Sequence, residues 1–227
     1  MHANDDPAGR LFDASRGCAV FSQRLLRFTG SSGKRLDAAS DEVLYVLAGS
    51  GTLLIEEVGH ELAPATAAFV RAGQSWSVTG AEGLSILSVL VHDPETATDA
   101  SAVIDLAASE RLSATAGRQF VLGAGPEHGC ASVTQFIGLI PPGRAPDHFH
   151  TYDEVIYVLD GEGFLEIAGE QAPLRPGSCV HLPARLVHCL ANTGTAELRV
   201  LGVFRPAGSP AEAYYPDGTL AVPSERS

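Results

Sequence analysis

Residue types that mark particular classes of protein are scarce in this chain of 227 residues. Lys34 is its single lysine, and 15 basic residues against 27 acidic ones give a formal net charge of −12. Binding to nucleic-acid phosphates needs a clustered basic surface, whereas the arginines here are scattered along the chain. The composition therefore predicts that nucleic acid is not a partner.

Long apolar runs are also missing. No stretch approaches the roughly 18 uninterrupted apolar residues of a membrane span. Acidic residues stand near the N-terminus, where a signal peptide has a basic region followed by an apolar run. We therefore predict a cytoplasmic protein without a membrane partner.

The cysteines lack the Cys-x-x-Cys spacing of redox and metal motifs. Cys18, Cys130, Cys179 and Cys189 are far apart in the sequence. The expectation is that they are reduced thiols that pack as small apolar side chains, with a structural disulfide or a catalytic thiol as the alternatives.

The sequence does contain an internal repeat, with a shift of 112 residues (41 + 112 = 153). Residues 41–55 (DEVLYVLAGSGTLLI) align with residues 153–167 (DEVIYVLDGEGFLEI), and 10 of the 15 positions are identical. The register continues without a gap, so that Trp76 falls on His188. Self-similarity at a fixed shift indicates two homologous structural units.

We place the two domains at residues 15–95 and 118–210, joined by a linker at 96–117. In each copy, short segments rich in β-branched and aromatic residues alternate with glycine and proline turn signals. Such spacing is typical of antiparallel sandwiches and barrels. The chain is therefore predicted to be all-β.

Two segments outside these strands carry weaker predictions. The linker is rich in Ala, Ser and Thr, and residues 101–112 (SAVIDLAASERL) are compatible with one or two helical turns. The C-terminal tail is rich in Pro and Gly, so we expect it to be irregular, with Tyr214 and Tyr215 packed on the second domain.

Four side chains of the second copy have the chemistry of metal ligands. His148 and His150 are two positions apart, and a β-strand points such a pair to one face. Glu154 follows a turn and can return to that face, while a hairpin can bring His188 beside it. Three neutral imidazoles and one carboxylate suit Mn, Fe, Co, Ni, Cu or Zn better than Ca or Mg. On an octahedral ion they leave two positions for substrate, water or O2.

The spacing of these ligands resembles that of the cupin superfamily. The first cupin motif is matched by Gly143, His148, His150, Glu154 and Gly161, with one residue fewer than usual between the glycine and the first histidine.

The second cupin motif follows in the same copy. It is matched by Gly177, Pro183, His188 and Asn192, and Arg185 stands where this motif usually has glycine. Together with the repeat, the two motifs make the chain similar to two-domain cupins, or bicupins.

The resemblance implies two tandem cupin barrels of the jelly-roll type. It also implies one divalent transition metal, Mn, Fe, Ni or Zn, in the C-terminal domain, held by His148, His150, Glu154 and His188. A small molecule is the expected substrate, and a homodimer is a further expectation.

The first copy lacks this set of ligands. Leu36, Ala38 and Trp76 stand at the positions of the three histidines, and only Glu42 matches a ligand. We expect this domain to be free of metal, with Trp76 filling the space of the ion. Its role is then that of a scaffold, or alternatively of a second ligand pocket.

Gln135 and His181 are the predicted catalytic residues. Gln135 lies on the strand that enters the first motif, where it hydrogen-bonds either a substrate or a neighbouring strand. His181 shares a strand face with Cys179, and either this face or the opposite one is inward; inward, His181 is a candidate base. Arg144 and Arg185 attract a carboxylate substrate to the site, or are ordinary exposed arginines.

Three classes of function fit these residues. The favoured class is a metal-dependent oxidoreductase, a cupin-type dioxygenase that acts on a small organic molecule in the C-terminal domain. The second is an isomerase, lyase or hydrolase in which the metal is a Lewis acid. The third is a binding protein without catalysis, and the lack of a DNA-binding segment weighs against a transcriptional sensor.

Overall fold

The structure is a computed structural model that describes residues 9–95 and 102–221. Within these ranges it contains β-strands and short 3-10 segments (Ala14–Arg16, Thr115–Gly117 and Pro126–His128) and no α-helix, so the all-β prediction is confirmed. The described residues fall into two compact units. The first comprises the residues up to Ser109 together with Gly123–Val133, and the second comprises Glu110–Leu122 and the residues from Thr134 onward.

The first unit is a single antiparallel sheet of eight strands. Its strands are β1 (Arg10–Phe12), β2 (Phe21–Gly30), β3 (Arg35–Leu36), β4 (Ser40–Ile55), β5 (Val58–Leu62), β6 (Thr66–Val70), β7 (Ser75–His92) and β8 (Ala102–Asp105). They are ordered β1-β2-β7-β4-β6-β8, with β3 paired to β7 and β5 paired to β4. The long strands β4 and β7 pair along most of their length, and bulges bend β4 near Gly49.

The second unit contains a six-stranded sheet, a four-stranded sheet and a two-stranded ribbon. Its strands are β9 (Leu112–Ser113), β10 (Gln119–Leu122), β11 (Thr134–Ile140), β12 (Gly143–Arg144), β13 (Asp153–Asp160), β14 (Gly163–Ile167), β15 (Glu170–Leu174), β16 (Cys179–Leu182), β17 (Cys189–Asn192), β18 (Leu198–Arg205), β19 (Ala213–Tyr214) and β20 (Leu220–Ala221). The sheet orders are β16-β13-β18-β11-β10-β9, β12-β17-β14-β15 and β19-β20.

The sequence repeat is visible in these strands. β15 starts and ends 112 residues after β5, and the long strand β4 corresponds to two strands of the second unit, β13 and β14. The turn of each copy has a glycine with positive φ, Gly49 at 80° and Gly161 at 86°. A Cβ on Gly161 would lie 2.8 Å from the Cα of Leu198, so glycine is needed there for close packing as well as for backbone conformation.

The prediction of helical turns at residues 101–112 is wrong. Ala102–Asp105 form β8, which pairs with β6 at the edge of the first unit, and Leu112–Ser113 form β9 in the second. The side chain of Val103 packs against the core of the first unit. A short β-branched run beside an open sheet edge gains ladder hydrogen bonds and apolar contact that an isolated helical turn cannot supply. Residues 96–101 lie outside the described ranges.

The tail after β18 is more ordered than expected. Phe149 and Tyr214 form an antiparallel bridge, and their rings stack with centroids 5.6 Å apart. The expected packing of Tyr214 on the second unit is therefore confirmed, whereas the expectation of an irregular tail is wrong for β19 and β20. The tail adopts this structure because backbone pairing and ring stacking act together there.

The cysteine prediction is confirmed. All four cysteines lie in the described residues and are thiols, and Cys18, Cys130 and Cys189 are buried. Burial raises the pKa of Cys130 to about 12, which is the opposite of the activation that a catalytic thiol needs.

Among the described residues, no helix has the length and apolarity to cross a membrane.

A tryptophan fills the part of the first unit that corresponds to the predicted metal site. Trp76 is 2% exposed, and its indole N–H donates to a carboxylate oxygen of Glu42 at 2.7 Å. Ser88 also donates a hydrogen bond to this carboxylate. Burial raises the pKa of Glu42, and these two hydrogen bonds oppose that shift. The predicted packing of Trp76 in this space agrees with the structure.

The predicted correspondence between Leu36 and His148 is wrong by one residue. Arg35 is the residue opposite Trp76, as His148 is opposite His188, and Leu36 is 63% exposed. The guanidinium carbon of Arg35 lies 5.3 Å from the ring centroid of Trp76, in cation–π geometry. Between this position and the glutamate that both copies share, the first copy therefore has six residues and the second has five.

Replacement of Trp76 tests this packing. Trp76→Ala leaves a cavity and removes a donor from the buried carboxylate, so we expect the free energy of unfolding to fall by about 3–5 kcal/mol. Trp76→Phe keeps an aromatic ring but removes the N–H and part of the indole volume, with an expected loss of about 1–3 kcal/mol. Urea unfolding followed by circular dichroism measures both losses. A change below about 0.5 kcal/mol in Trp76→Ala would contradict the packing role.

Candidate metal centre

A backbone bridge brings two of the three histidines together. The N–H of His148 donates to the carbonyl of His188 at 3.0 Å, and the N–H of His188 donates to the carbonyl of His148 at 2.8 Å. Side chains of such directly opposed residues lie side by side on one face. His150, two positions further on, points to the same side, and one ring nitrogen from each imidazole lies within 4.8 Å of the other two.

Backbone carbonyls fix the tautomer of all three imidazoles. The Nδ1 atoms lie at 2.9 Å from the oxygen of Pro146 for His148, at 2.8 Å from the oxygen of Glu212 for His150, and at 2.9 Å from the oxygen of Leu186 for His188. A carbonyl oxygen only accepts, so each Nδ1 carries the proton and donates it. Each Nε2 is therefore left with a lone pair, which is the form in which imidazole binds a metal.

Burial keeps the three imidazoles neutral. It lowers the pKa of His148 to about 2 and that of His150 to about 3, and the guanidinium of Arg118 adds to both shifts. The pKa of His188 is also lowered, again mainly by burial. Metal binding by these side chains therefore has no proton to displace at neutral pH.

Glu154 lies on the wall of the same cavity but outside the group of three nitrogens. It is 3% exposed and stands on β13 opposite Phe204 and Leu182. Its carboxylate is not among the atoms that lie within 4.8 Å of one another. Burial raises its pKa to about 8, so a nearby cation would stabilise the ionised form. Glu154 as the fourth ligand stays a prediction.

A glycine makes room for Glu154 and for an aromatic wall residue. Gly202 on β18 pairs with Phe136 and with Ile156 on the two neighbouring strands. A Cβ at this position would lie 2.3 Å from the Phe136 ring and 2.8 Å from a carboxylate oxygen of Glu154. Sequence reasoning missed this residue, because its surroundings come from strands distant in the chain.

The histidines and Glu154 line a cavity of about 60 Å³. Most of its remaining wall is apolar, formed by Phe120, Phe136, Ile140, Ile156, Leu190 and Val200. An apolar enclosure with few, grouped polar atoms is the usual form of a small-molecule site. Engineered cavities that bind benzene measure about 150 Å³, so the enclosed space here is smaller than such a ligand needs.

Arg118 is a second residue that sequence reasoning missed. Its guanidinium Nη1 lies 3.3 Å from Nε2 of His148, and it lines the cavity. Thr115 holds the other side of the guanidinium, where its carbonyl accepts from Nε at 3.1 Å and its hydroxyl accepts from Nη2 at 2.7 Å. No cupin motif contains this position, which lies 30 residues before His148.

An aromatic stack supports one of the imidazoles. The ring of Tyr152 lies parallel to that of His150, with centroids 4.6 Å apart and an interplanar angle of 9°. Its other face stacks on Phe204 at 3.9 Å. Together with the hydrogen bond to the carbonyl of Glu212, this stack fixes the plane of the His150 ring. The tail that follows β18 is thus part of the site, because it supplies that carbonyl.

The two predicted catalytic residues lie away from the cavity. Gln135 is buried and is not among the residues that line the cavity, whereas the adjacent Phe136 is. His181 faces away, because Val180 and Leu182 are the core-facing residues of β16. Its ring nitrogen lies 3.5 Å from the carboxylate of Asp153.

The two arginines named in the sequence have structural surroundings. Arg144 is exposed and forms ion pairs with Asp147 at 2.7 Å and with Glu166 at 2.8 Å. Arg185 adopts a φ of 66°, the left-handed region that explains why the motif usually has glycine there. Its backbone N–H donates to the carbonyl of His150 at 2.7 Å, which links this turn to the metal motif.

Comparisons of sequence agree with this architecture. A family model described as Cupin domain matches residues 136–204. The L-ectoine synthase of Bordetella petrii is 32% identical over 89 residues, which cover 38% of this chain and 66% of that protein. The chain matches two further curated relatives, over 49% and 42% of the length of those proteins.

Comparisons of structure give the same fold. A protein described as a putative glyoxylate-induced protein of Pseudomonas aeruginosa aligns with a TM-score of 0.71 and 18% identity, over 82% of this chain and 74% of that one. Oxalate decarboxylase of Bacillus subtilis, described with Mn(II) centres, aligns with a TM-score of 0.70 and 12% identity, over 84% and 70%. At such identities the likeness concerns the fold alone.

The chain therefore contains a cupin domain at residues 136–204, in its second unit, with three histidines that can bind a metal. The donor set fits such an ion, because three neutral imidazoles present lone pairs to one point and suit transition metals.

Removal of the histidines tests the site. His148→Ala and His188→Ala each delete one of three donors, so we expect bound metal to fall from about one equivalent to less than a tenth after dialysis. Trp76→Ala and His181→Ala are the matched controls and should keep the wild-type content. Elemental analysis measures the content, and unchanged metal in the two histidine variants would contradict the assignment.

The stability of the metal-free protein should depend on pH because of these buried imidazoles. Below the ordinary histidine pKa of 6.5 the unfolded chain takes up protons that the folded His148 refuses until about pH 2. The contribution of His148 to stability therefore falls by up to about 2 kcal/mol between pH 6.5 and 5, while the raised pKa of Glu154 acts in the opposite direction over this interval. Urea unfolding of chelator-treated protein measures the slope.

A variant without this imidazole shows whether the slope has that origin. His148→Gln should remove the share of this imidazole from the pH dependence between pH 6.5 and 5, while the shares of His150 and His188, whose pKa values burial also lowers, remain. The explanation fails if wild type and His148→Gln lose the same free energy over this interval.

Proposed function

We propose that the chain is a metal-dependent enzyme that acts on a small organic molecule in its second unit, as a cupin-type dioxygenase. The observation that carries this proposal is the group of three imidazoles with ring nitrogens within 4.8 Å of one another, each with its Nδ1 hydrogen-bonded to a backbone carbonyl. A divalent transition metal held there would supply Lewis acidity and, as iron or manganese, the one-electron chemistry that O2 requires.

The residues around the donors have separate tasks in this proposal. His148, His150 and His188 would hold the ion, with Glu154 as the proposed fourth ligand. The apolar side chains of Phe136, Ile140 and Val200 keep bulk water from the reacting atoms, which protects oxidising chemistry from side reactions. The ring of Tyr152 holds the plane of His150, so that its lone pair stays directed at the ion.

The size of the cavity limits the substrate. A volume of about 60 Å³ favours molecules of a few carbon atoms over flavonol-sized ones. Oxalate decarboxylase, a protein of similar fold, is named for a substrate of two carbon atoms. We therefore place short-chain acids and diketones first among the substrates to be tested.

Metal chemistry without a redox step is the second candidate. It is favoured by the names of the similar proteins, since a synthase and a decarboxylase are not named as oxygenases. In this case the ion would polarise a substrate oxygen while a side chain moves a proton. The raised pKa of Glu154, about 8 because of burial, makes this carboxyl a candidate proton carrier if it stays off the metal.

Oxygen uptake distinguishes the two candidates. Protein loaded anaerobically with Fe2+, and separately with Mn2+, is mixed with acetylacetone and with acids of two to five carbon atoms in an oxygen electrode. The proposal predicts O2 consumption that requires both the metal and one of these molecules, and a loss of at least 100-fold in His188→Ala. Product analysis by mass spectrometry identifies incorporation of 18O.

Two results would contradict the dioxygenase assignment. Loaded protein that converts one of these molecules without O2 uptake supports non-redox metal chemistry. Loaded protein that binds but converts none of them supports a binding function. His181→Ala, away from the cavity, serves as the control that should behave as wild type.

A further inference from the structure

Arg118 presents a cation to the cavity from a rigid support. Nε and Nη2 of its guanidinium are both used in hydrogen bonds to Thr115, at 3.1 and 2.7 Å. Thr115 is itself 5% exposed, and the N–H of Ala114 donates to the carbonyl of Arg118 at 2.8 Å. The side of the guanidinium that carries Nη1 is therefore the one directed at His148.

Nη1 shares its hydrogen-bond acceptor with the proposed ion. Since Nδ1 of His148 donates to Pro146, the lone pair of Nε2 is the only acceptor of this ring, and Nη1 of Arg118 lies 3.3 Å from it. The same lone pair cannot serve both a metal and Arg118. Nη1 carries two hydrogens, so it has one to donate to a further acceptor without the ion and two with the ion in place.

No carboxylate forms a salt bridge with this guanidinium in the described part of the chain. Glu154, which lines the same cavity, acts on it electrostatically from a distance. Arginine cannot lose its proton in a protein, and a partly buried charge beside a divalent cation is unfavourable without a counter-ion in contact with it. An anionic ligand in the cavity would supply that contact.

We propose that Arg118 binds the carboxylate of a short-chain organic acid, with Nη1 as the donor and the apolar wall as the contact surface for the rest of the molecule. This inference rests on the proposed function, because it names the substrate class of the same site. A carboxylate fits since its two oxygens can be shared between a guanidinium and an open position of the ion. The short apolar body fits the small cavity next to Ile140 and Val200.

The test compares an acid with its neutral counterpart. Propionate and propionamide are titrated into the Zn2+-loaded protein and into the chelator-treated protein by calorimetry. We expect propionate to bind at least tenfold more tightly than propionamide to both forms. Arg118→Met, which keeps the length of the side chain and removes its charge and donors, should reduce this preference at least tenfold in both.

Control variants separate this role from a structural one. Arg111→Met removes an exposed arginine of the same unit and should bind propionate as wild type does. Arg118→Lys should restore part of the preference, because the charge remains and the fork of donors is lost. Arg118→Met must also keep the wild-type metal content and unfolding midpoint.

The outcomes for Arg118 and for the proposed function are distinguishable. A wild-type protein without preference for propionate, or an Arg118→Met variant that keeps it, overturns the inference whatever the metal does. If wild type binds no Zn2+, the proposed function fails, while the chelator-treated protein still decides the role of Arg118. A loss of preference in Arg118→Met with unchanged metal supports it.

Discussion

Each of three imidazoles in the second unit donates its Nδ1–H to a backbone carbonyl, and the site depends on these three hydrogen bonds. These hydrogen bonds place the proton on Nδ1 and leave the lone pair on Nε2, so each ring can be buried while it stays neutral. Two of the acceptors lie two residues before their histidine, and the third belongs to the tail. The backbone of the fold thus sets the protonation state on which metal binding relies.

The two units illustrate how one scaffold can hold a site or fill it. In the second, His148 and His188 face each other across a backbone bridge and leave a cavity. In the first, Arg35 and Trp76 occupy the opposed positions, and the indole N–H donates to Glu42. A hydrogen-bond donor there takes the place of a cation beside the buried carboxylate, and the large ring contributes to a dry core.

Local spacing accounts for the features on which sequence and structure agree. The grouping of the three histidines, the all-β fold and the filling of the first unit by Trp76 all follow from strand periodicity and from the repeat. Gln135 and His181 failed as cavity residues because alternation along a strand leaves open which face is inward. Arg118 and Gly202 could not be found, since long-range strand pairing alone brings them to the site. The strand β8 was missed because its partner β6 is distant in sequence.

The central claim is that the three imidazole Nε2 atoms bind one transition metal. Crystals of protein loaded with Mn2+ or Zn2+ allow this to be measured by anomalous diffraction at the absorption edge of the element. The account predicts a single strong peak in the second unit about 2.0–2.3 Å from Nε2 of His148, His150 and His188, and no peak beside Trp76 in the first unit. A loaded protein whose peak lies away from these nitrogens, or beside their Nδ1 atoms, would contradict it.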